Sequence, residues 1–352
     1  MKQDFIIQQR LLNQQIAAAG AVSAADVVST MIALQAQEYQ MAKWAIGLRS
    51  VGLTDALVES AFNSGKILRT HLLRPTWHFV TPADIHWLLE LSAPRVQALN
   101  AYMYRQTNLS TQELKKSNRF IGQLLKGGNH LTRDQVQAAL ETNKIMASRE
   151  RLSCIMMNAE LEATICSGPR QGKQFTYALL DEKAPAISLP EKEKALQQFV
   201  ARYFTTRGPA TVFDFTTWSG LTMRDAKKAI ESLPSSFNRM QVAKQELIWR
   251  EVEWKKGKHN QKTFLLPDYD EYGMSYKDRS AIQDPNAKGM KASDYSHWLV
   301  VDGKIAGTWT HENHEHVGET LPFYKMNARQ LTDIRKAVKK YEQFKGAASN
   351  PS

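Results

Sequence analysis

The spacing of apolar and polar positions changes period several times along the chain, and each change predicts an element. Between Ala24 and Leu34 the residues Val27, Val28, Met31 and Leu34 fall on one helical face behind Ser23, an N-cap residue type, so a helix is expected there. Further helical stretches run from Gln40 to Leu48 and from Asp55 to Asn63. From Lys66 to Val80, β-branched and aromatic residues take over, which predicts two short strands around a turn at Leu73 to Pro75.

The same order recurs. Thr132 is placed as the N-cap of a helix through Leu140, and a second helix is expected over Arg149 to Ala159. Strand patterns at Leu161 to Ser167 and Gln174 to Leu180 flank the basic turn Gly168-Pro169-Arg170-Gln171-Gly172-Lys173. A third copy has helices over Lys194 to Thr205, Val212 to Trp218 and Thr222 to Ser232, with a turn at Ser219-Gly220 and wing strands within Arg239 to Trp254. Helices followed by a hairpin make the outline of a winged helix. The last ninety residues differ: a strand at Thr263 to Pro267, a surface loop over Ser280 to Asp294, a hairpin from His297 to Trp309 turning at Asp302-Gly303, and a closing helix over Asn327 to Phe344. The expected fold class is therefore mainly α with short β-hairpins (α+β). Three tandem winged-helix modules, at residues 1–110, 111–185 and 186–262, precede a C-terminal β-containing segment, 263–352.

Composition narrows the setting. The 352 residues carry 43% hydrophobic and 23% charged residues, enough for real cores. No apolar run is long enough to span a membrane, and the first ten residues lack the apolar stretch of a signal peptide, so a cytoplasmic protein is expected. Cys154 and Cys166 are too few for a disulfide framework or a four-cysteine zinc site. The net charge of +11 is spread along the chain with no basic tail, which suits a polyanionic partner met by a folded surface. Phosphate-binding glycine loops, the nucleophile elbow and the zinc-deaminase signature are all missing, so no cofactor is expected.

Three segments carry a resemblance. They are Leu34-Gln35-Ala36-Gln37-Glu38, Leu72-Leu73-Arg74-Pro75-Thr76-Trp77-His78, and Leu265-Leu266-Pro267-Asp268-Tyr269-Asp270-Glu271-Tyr272 with Tyr276-Lys277-Asp278-Arg279 and Gly307-Thr308-Trp309. In this order, from about residue 20 to 310, the chain resembles the bacterial winged-helix DNA-binding proteins that include the AlkZ-like DNA glycosylases. The resemblance implies a basic concave surface for double-stranded DNA and the excision of alkylated or crosslinked bases. It also implies that Gln35 and Gln37 are the catalytic pair. A sister group has Asp at the second position, so this chain matches the crosslink-unhooking type.

The chemistry suits glutamine. A purine alkylated at N7 or N3 is cationic and departs neutral, so its glycosidic bond breaks without an acid on the leaving group. What remains is to hold a water under C1′, and a glutamine carbonyl can accept from that water. One obstacle stands: two residues apart on a helix lie about 200° apart, so the pair converges only if the helix breaks between Leu34 and Glu38. The alternative is Gln35 as a helix cap and Gln37 as a solvated side chain.

Other candidates have two readings each. Arg69, Arg74 and His78 on the first hairpin would contact DNA phosphates, or Arg74 pairs with a carboxylate and His78 is a satisfied strand histidine. Alternation sends one of Trp77 and His78 inward, and Trp77 is expected in the core. Arg149 and Arg151 open the second module's recognition helix, and Arg170, Gln171 and Lys173 form its wing tip; all five are candidate DNA contacts, the wing residues otherwise a solvated turn. Asp270, Glu271, Asp278 and Arg279 read best as an ion-pair cluster tying the C-terminal segment to the third module. His311, His314 and His316 read as a solvated loop with His311 opposite the other two, and no metal is expected. The functional reading is a monomeric glycosylase for cationic N-alkylated purines. The alternative is a non-catalytic winged-helix DNA-binding protein, a regulator or damage sensor.

Overall fold

The computed structural model describes residues 2–185, 189–242, 244–251, 262–287 and 297–346. The chain is a mixed α/β protein. It begins with a helix the periodicity did not suggest, α1 (Lys2–Asn13). Its buried polar side chains reach across the sequence: Arg10 Nε donates to the Pro209 carbonyl at 3.0 Å and Asn13 Nδ2 to the Gly208 carbonyl at 2.8 Å. Next comes α2 (Ala24–Met31), with the Ser23 side chain accepting from the Asp26 N–H as expected. It stops three residues short of Leu34, because Ile32 turns to φ +67°. Then follow β1 (Leu34–Gln35), α3 (Tyr39–Leu48), α4 (Asp55–Asn63), β2 (Leu68–Leu72) and β3 (Thr76–Val80). Strands β2 and β3 turn at Leu73, where φ is +62°.

Two helices absent from the sequence reading join this unit to the next, α5 (Ile85–Gln106) and α6 (Thr111–Leu125). The second unit continues with β4 (Leu131–Thr132), α7 (Arg133–Thr142), α8 (Arg149–Leu161), β5 (Ile165–Ser167), β6 (Thr176–Leu179) and the short α9 (Leu180–Lys183). Thr132 caps α7 in a full capping box with Gln135. The third stretch holds α10 (Lys192–Arg207), α11 (Val212–Ser219) and α12 (Met223–Glu231), with Gly220 in the left-handed conformation between the last two. The hairpin β7 (Asn238–Val242) and β8 (Gln245–Trp249) follows. The expected extension of this hairpin to Trp254, and of the surface loop to Asp294, lies outside the described residues.

The C-terminal part comprises β9 (Phe264–Leu265), α13 (Glu271–Met274), β10 (Trp298–Val301), β11 (Lys304–Glu312), β12 (His316–Pro322) and α14 (Ala328–Lys345). Strands β10 and β11 turn at Asp302 and Gly303, both at positive φ, as the Asp-Gly pair predicts. The histidine-rich stretch is not a loop. It closes a second hairpin, β11 to β12, and the turn brings the His311 and His314 rings to 4.0 Å instead of separating them.

Every named sheet pairing is antiparallel, in the orders β1-β3-β2, β4-β6-β5, β7-β8 and β12-β11-β10-β9. The cores cross the segments. One joins α2, α3 and α4 to the C-terminal sheet and α14. Helices α3 and α14 approach so closely that a Cβ on Gly47 would overlap the Phe344 ring. A second core joins the far side of β2–β3 and α5 to α10, α11 and α12, and a third lies within α6, α7, α8 and β5–β6. Among the described residues, no helix is long and apolar enough to cross a membrane.

Arg49 shows how strongly the first and last parts are joined. It is fully buried and paired bidentately with Asp270, both contacts at 2.8 Å, with Gln14 and the Ala45 carbonyl as further acceptors. Truncating one member leaves a buried charge uncompensated. Asp270→Ala is expected to cost about 3–5 kcal/mol of unfolding free energy. Urea melts would check this, and a loss below ~1 kcal/mol would contradict it.

Candidate active site

The break after α2 sets the backbone of the glutamine segment. With Ile32 at positive φ the chain leaves the helix and runs extended, pairing Leu34 with Phe79 and Gln35 with His78. The Ala36 N–H extends the pairing by donating to the Trp77 carbonyl at 2.7 Å. Side chains of an extended segment alternate, so residues two apart share a side. Leu34 and Ala36 enter the core, Gln35 is buried and Gln37 is exposed. The helical obstacle to their convergence is removed, and neither glutamine caps a helix.

Buried groups from distant parts of the chain hold this segment. Arg207, at the end of α10, donates through Nη2 to the carbonyls of Met31 and Ala33 at 2.9 and 3.0 Å. The same nitrogen meets Glu271 at 3.0 Å. Glu271 in turn accepts from the Gln35 N–H at 3.1 Å, from Trp218 Nε1 at 2.8 Å and from the Ser275 hydroxyl at 2.8 Å. Burial alone would raise its carboxyl, but Arg207, the Ser275 hydroxyl and the Gln35 N–H together hold it below the ordinary range, so it is ionised at neutral pH. The expected ion-pair cluster is thus present in Asp270 and Glu271, and it reaches the first unit as well as the third. Its contact with the glutamine segment was not foreseen, because nothing local marks Glu271 as the partner of a residue 236 positions away.

Arg74 and Arg69 complete the surroundings. Arg74 Nη2 donates to Gln35 Oε1 at 3.2 Å, orienting that amide. Arg69 is buried, donates Nε to the Ala36 carbonyl at 2.9 Å, and lies 4.2 Å from the Trp77 ring centre. The inward member of the Trp77 and His78 pair is His78, contrary to expectation. It is fully buried with Nδ1 at 2.9 Å from the Thr76 carbonyl, while Trp77 is half-buried under Arg69. His78 is therefore held away from any phosphate.

The second unit splits the remaining candidates. Arg149, Gln171 and Lys173 are exposed. Arg170 is half-buried against Tyr39 and Phe175, with its N–H on Asn63 at 2.8 Å, and ties the turn between β5 and β6 to α4. Arg151, expected at the DNA, is a structural staple instead. It binds Glu113 at 2.8 Å and the carbonyls of Thr107, Asn108 and Met146.

Burial, with the nearby Arg74 charge, pushes the His78 imidazole down to about 3 against the pull of Glu271. The unfolded imidazole titrates near 6.5. As pH falls, the unfolded chain takes up this proton first. The stability contributed by neutral His78 is complete above about 6.5 and is lost progressively as pH falls towards 3. His78→Gln has no proton to gain at this position. It should be less stable at pH 7 yet decline less steeply from pH 7 to 4 in urea melts. Equal slopes in the two proteins would sink the assignment.

Comparison with known proteins identifies the family. The family description "DNA glycosylase AlkZ-like" matches residues 28–344. An interstrand DNA cross-link repair glycosylase of Streptomyces sahachiroi is 25% identical over 324 residues, covering 85% of each chain. The solved structure of the Streptomyces sahachiroi DNA glycosylase AlkZ shares the fold, with a TM-score of 0.82 at 19% identity over 99% of this chain and 98% of that one. The chain belongs to the AlkZ-like DNA glycosylases.

Proposed function

We propose that the chain hydrolyses the N-glycosidic bond of cationic N-alkylated purines in duplex DNA, bulky or crosslinked adducts included, with Gln35 and Gln37 positioning the water. The observation that supports this reading is that α2 ends before the motif, so that Gln35 lies on a short strand instead of a helix, with Gln35 buried and Gln37 exposed beside it. The water oxygen bonds to C1′ as the bond from C1′ to the purine nitrogen breaks. The bonding pair stays on the base and neutralises its charge, and the water's proton passes to solvent. Gln35 Oε1 already accepts from Arg74 and has a second lone pair for the water. Glutamine is no strong base, so the catalysis is positional and confined to leaving groups that need no protonation.

The helix-and-hairpin units act as winged-helix modules along the duplex. Arg149, Gln171 and Lys173 are the candidates from the sequence whose exposed side chains meet the backbone, Arg74 orients Gln35, and Arg69, His78, Arg151 and Arg170 support them from inside. The enzyme works as a cytoplasmic monomer without a cofactor. The crosslink-repair name of the relative fits this substrate class.

Release of 7-methylguanine from a duplex tests the reading. Wild type should release the base, and Gln35→Ala and Gln37→Ala should each lose roughly 10²-fold in single-turnover rate while still binding the duplex. Tight binding that weakens with salt, with no release by any of the three, would favour the non-catalytic DNA-binding protein.

A further inference from the structure

One guanidinium away from the glutamine segment lies a cavity of about 440 Å³, between the first hairpin and the second unit. That size is within the range of small-molecule sites. Arg69 forms the partition. Its Nη2 meets the Gln37 carbonyl at 3.5 Å on one side, and its guanidinium lies over Trp77 and Phe175 on the other. Trp77 and Phe175 are half-buried walls of the cavity, and Tyr177 is a third aromatic wall.

The cavity also holds a buried carboxylate. Glu160 on α8 is 2% exposed, and its contacts with His71, through the backbone N–H and through Nδ1, both fall on Oε2. Among the described residues no hydrogen bond reaches Oε1, and Glu160 is one of the residues that line the cavity. Arg133 and Lys173 stand among the lining residues, Lys173 exposed. Aromatic walls, one inward acid and basic groups at the edge are complementary to a nucleotide whose base is positively charged.

We propose that this cavity receives the extruded cationic base of the lesion, with Glu160 as its counter-charge and Arg133 and Lys173 on the flanking phosphates. The proposal rests on the glycosylase reading for its substrate and extends it to how the base is recognised. A base inside a duplex is out of reach of groups under its sugar until it leaves the stack, and aromatic walls replace the stacking it gives up. The Glu160 charge attracts the base while it is cationic and loses that attraction when the base becomes neutral. It therefore acts as a specificity residue on substrate binding, and the chemical step gains nothing from it.

Two variants and two readouts test this. Glu160→Gln keeps the shape and removes the charge. With a 7-methylguanine duplex its half-saturating concentration should rise tenfold or more, with the saturated single-turnover rate within threefold of wild type. Ser153→Trp places an indole at the cavity edge from an exposed position of α8. It should cut the saturated rate at least tenfold, with affinity for undamaged duplex within twofold. The second readout needs no cleavage. Fluorescence of a 2-aminopurine beside a 2′-fluoro-stabilised 7-methylguanine should rise when wild type binds, and should not rise with Ser153→Trp. If wild type releases base and both variants match it in rate and half-saturation, the cavity is not the receptor and the glycosylase reading stands. If wild type releases nothing yet the fluorescence rises in wild type alone, the cavity proposal stands and the glycosylase reading falls. An unchanged signal in both proteins, with no release, overturns the two together.

Discussion

The buried pair of Arg207 and Glu271 is the constraint on which the glutamine segment depends. A chain leaving a helix has carbonyls without partners, and here two of them, at Met31 and Ala33, are taken by one guanidinium. The next free donor, the Gln35 N–H, is taken by the carboxylate paired with that guanidinium. A single ion pair thus fixes both the end of α2 and the start of β1. Arg207 is fully buried over the Trp218 ring, so neither charge finds water as a substitute partner. Pairs of this kind add little net stability but are expensive to break, and that asymmetry gives the segment one geometry.

The same logic changes how the positive charge is understood. A net charge of +11 suggests a surface for DNA, yet several cations are spent inside the protein. Arg10, Arg49, Lys43, Arg151 and Arg207 are all buried, and each is held by carboxylates, backbone carbonyls or ring faces. Arg10 and Arg49 join the N-terminal part to the third stretch and the C-terminal segment. Net charge is a sum over the chain and does not distinguish a cation on a surface from one closing a core. Arg151 illustrates the difference. Its place at the start of a helix suggested a phosphate contact, and its side chain instead gathers the chain around residues 107, 108 and 113.

Elements with local signals were legible. The Ser23 and Thr132 caps, the Gly220 turn and the Asp302-Gly303 hairpin all lie where the residue types place them, because each rests on contacts within a few positions. Helices α1, α5 and α6 were missed. Pro94 lies inside α5, and α1 mixes apolar residues with three glutamines, so neither shows a clean stripe. The end of α2 was misplaced for a different reason. Leu34 continues the helical spacing in sequence, and only the groups waiting at Met31, Ala33 and Gln35 make the break favourable.

The sequence by itself determined the elements with local caps and turns, which follow from residue chemistry and short-range spacing, and its three motif segments carried the resemblance to the family. It left open whether the helix ends before Gln35, which of Trp77 and His78 goes inward, and which arginines are buried. Tertiary structure decided those. Each depends on what a side chain meets from tens to hundreds of residues away, and burial makes an unmatched polar group too costly for the local pattern to have the last word.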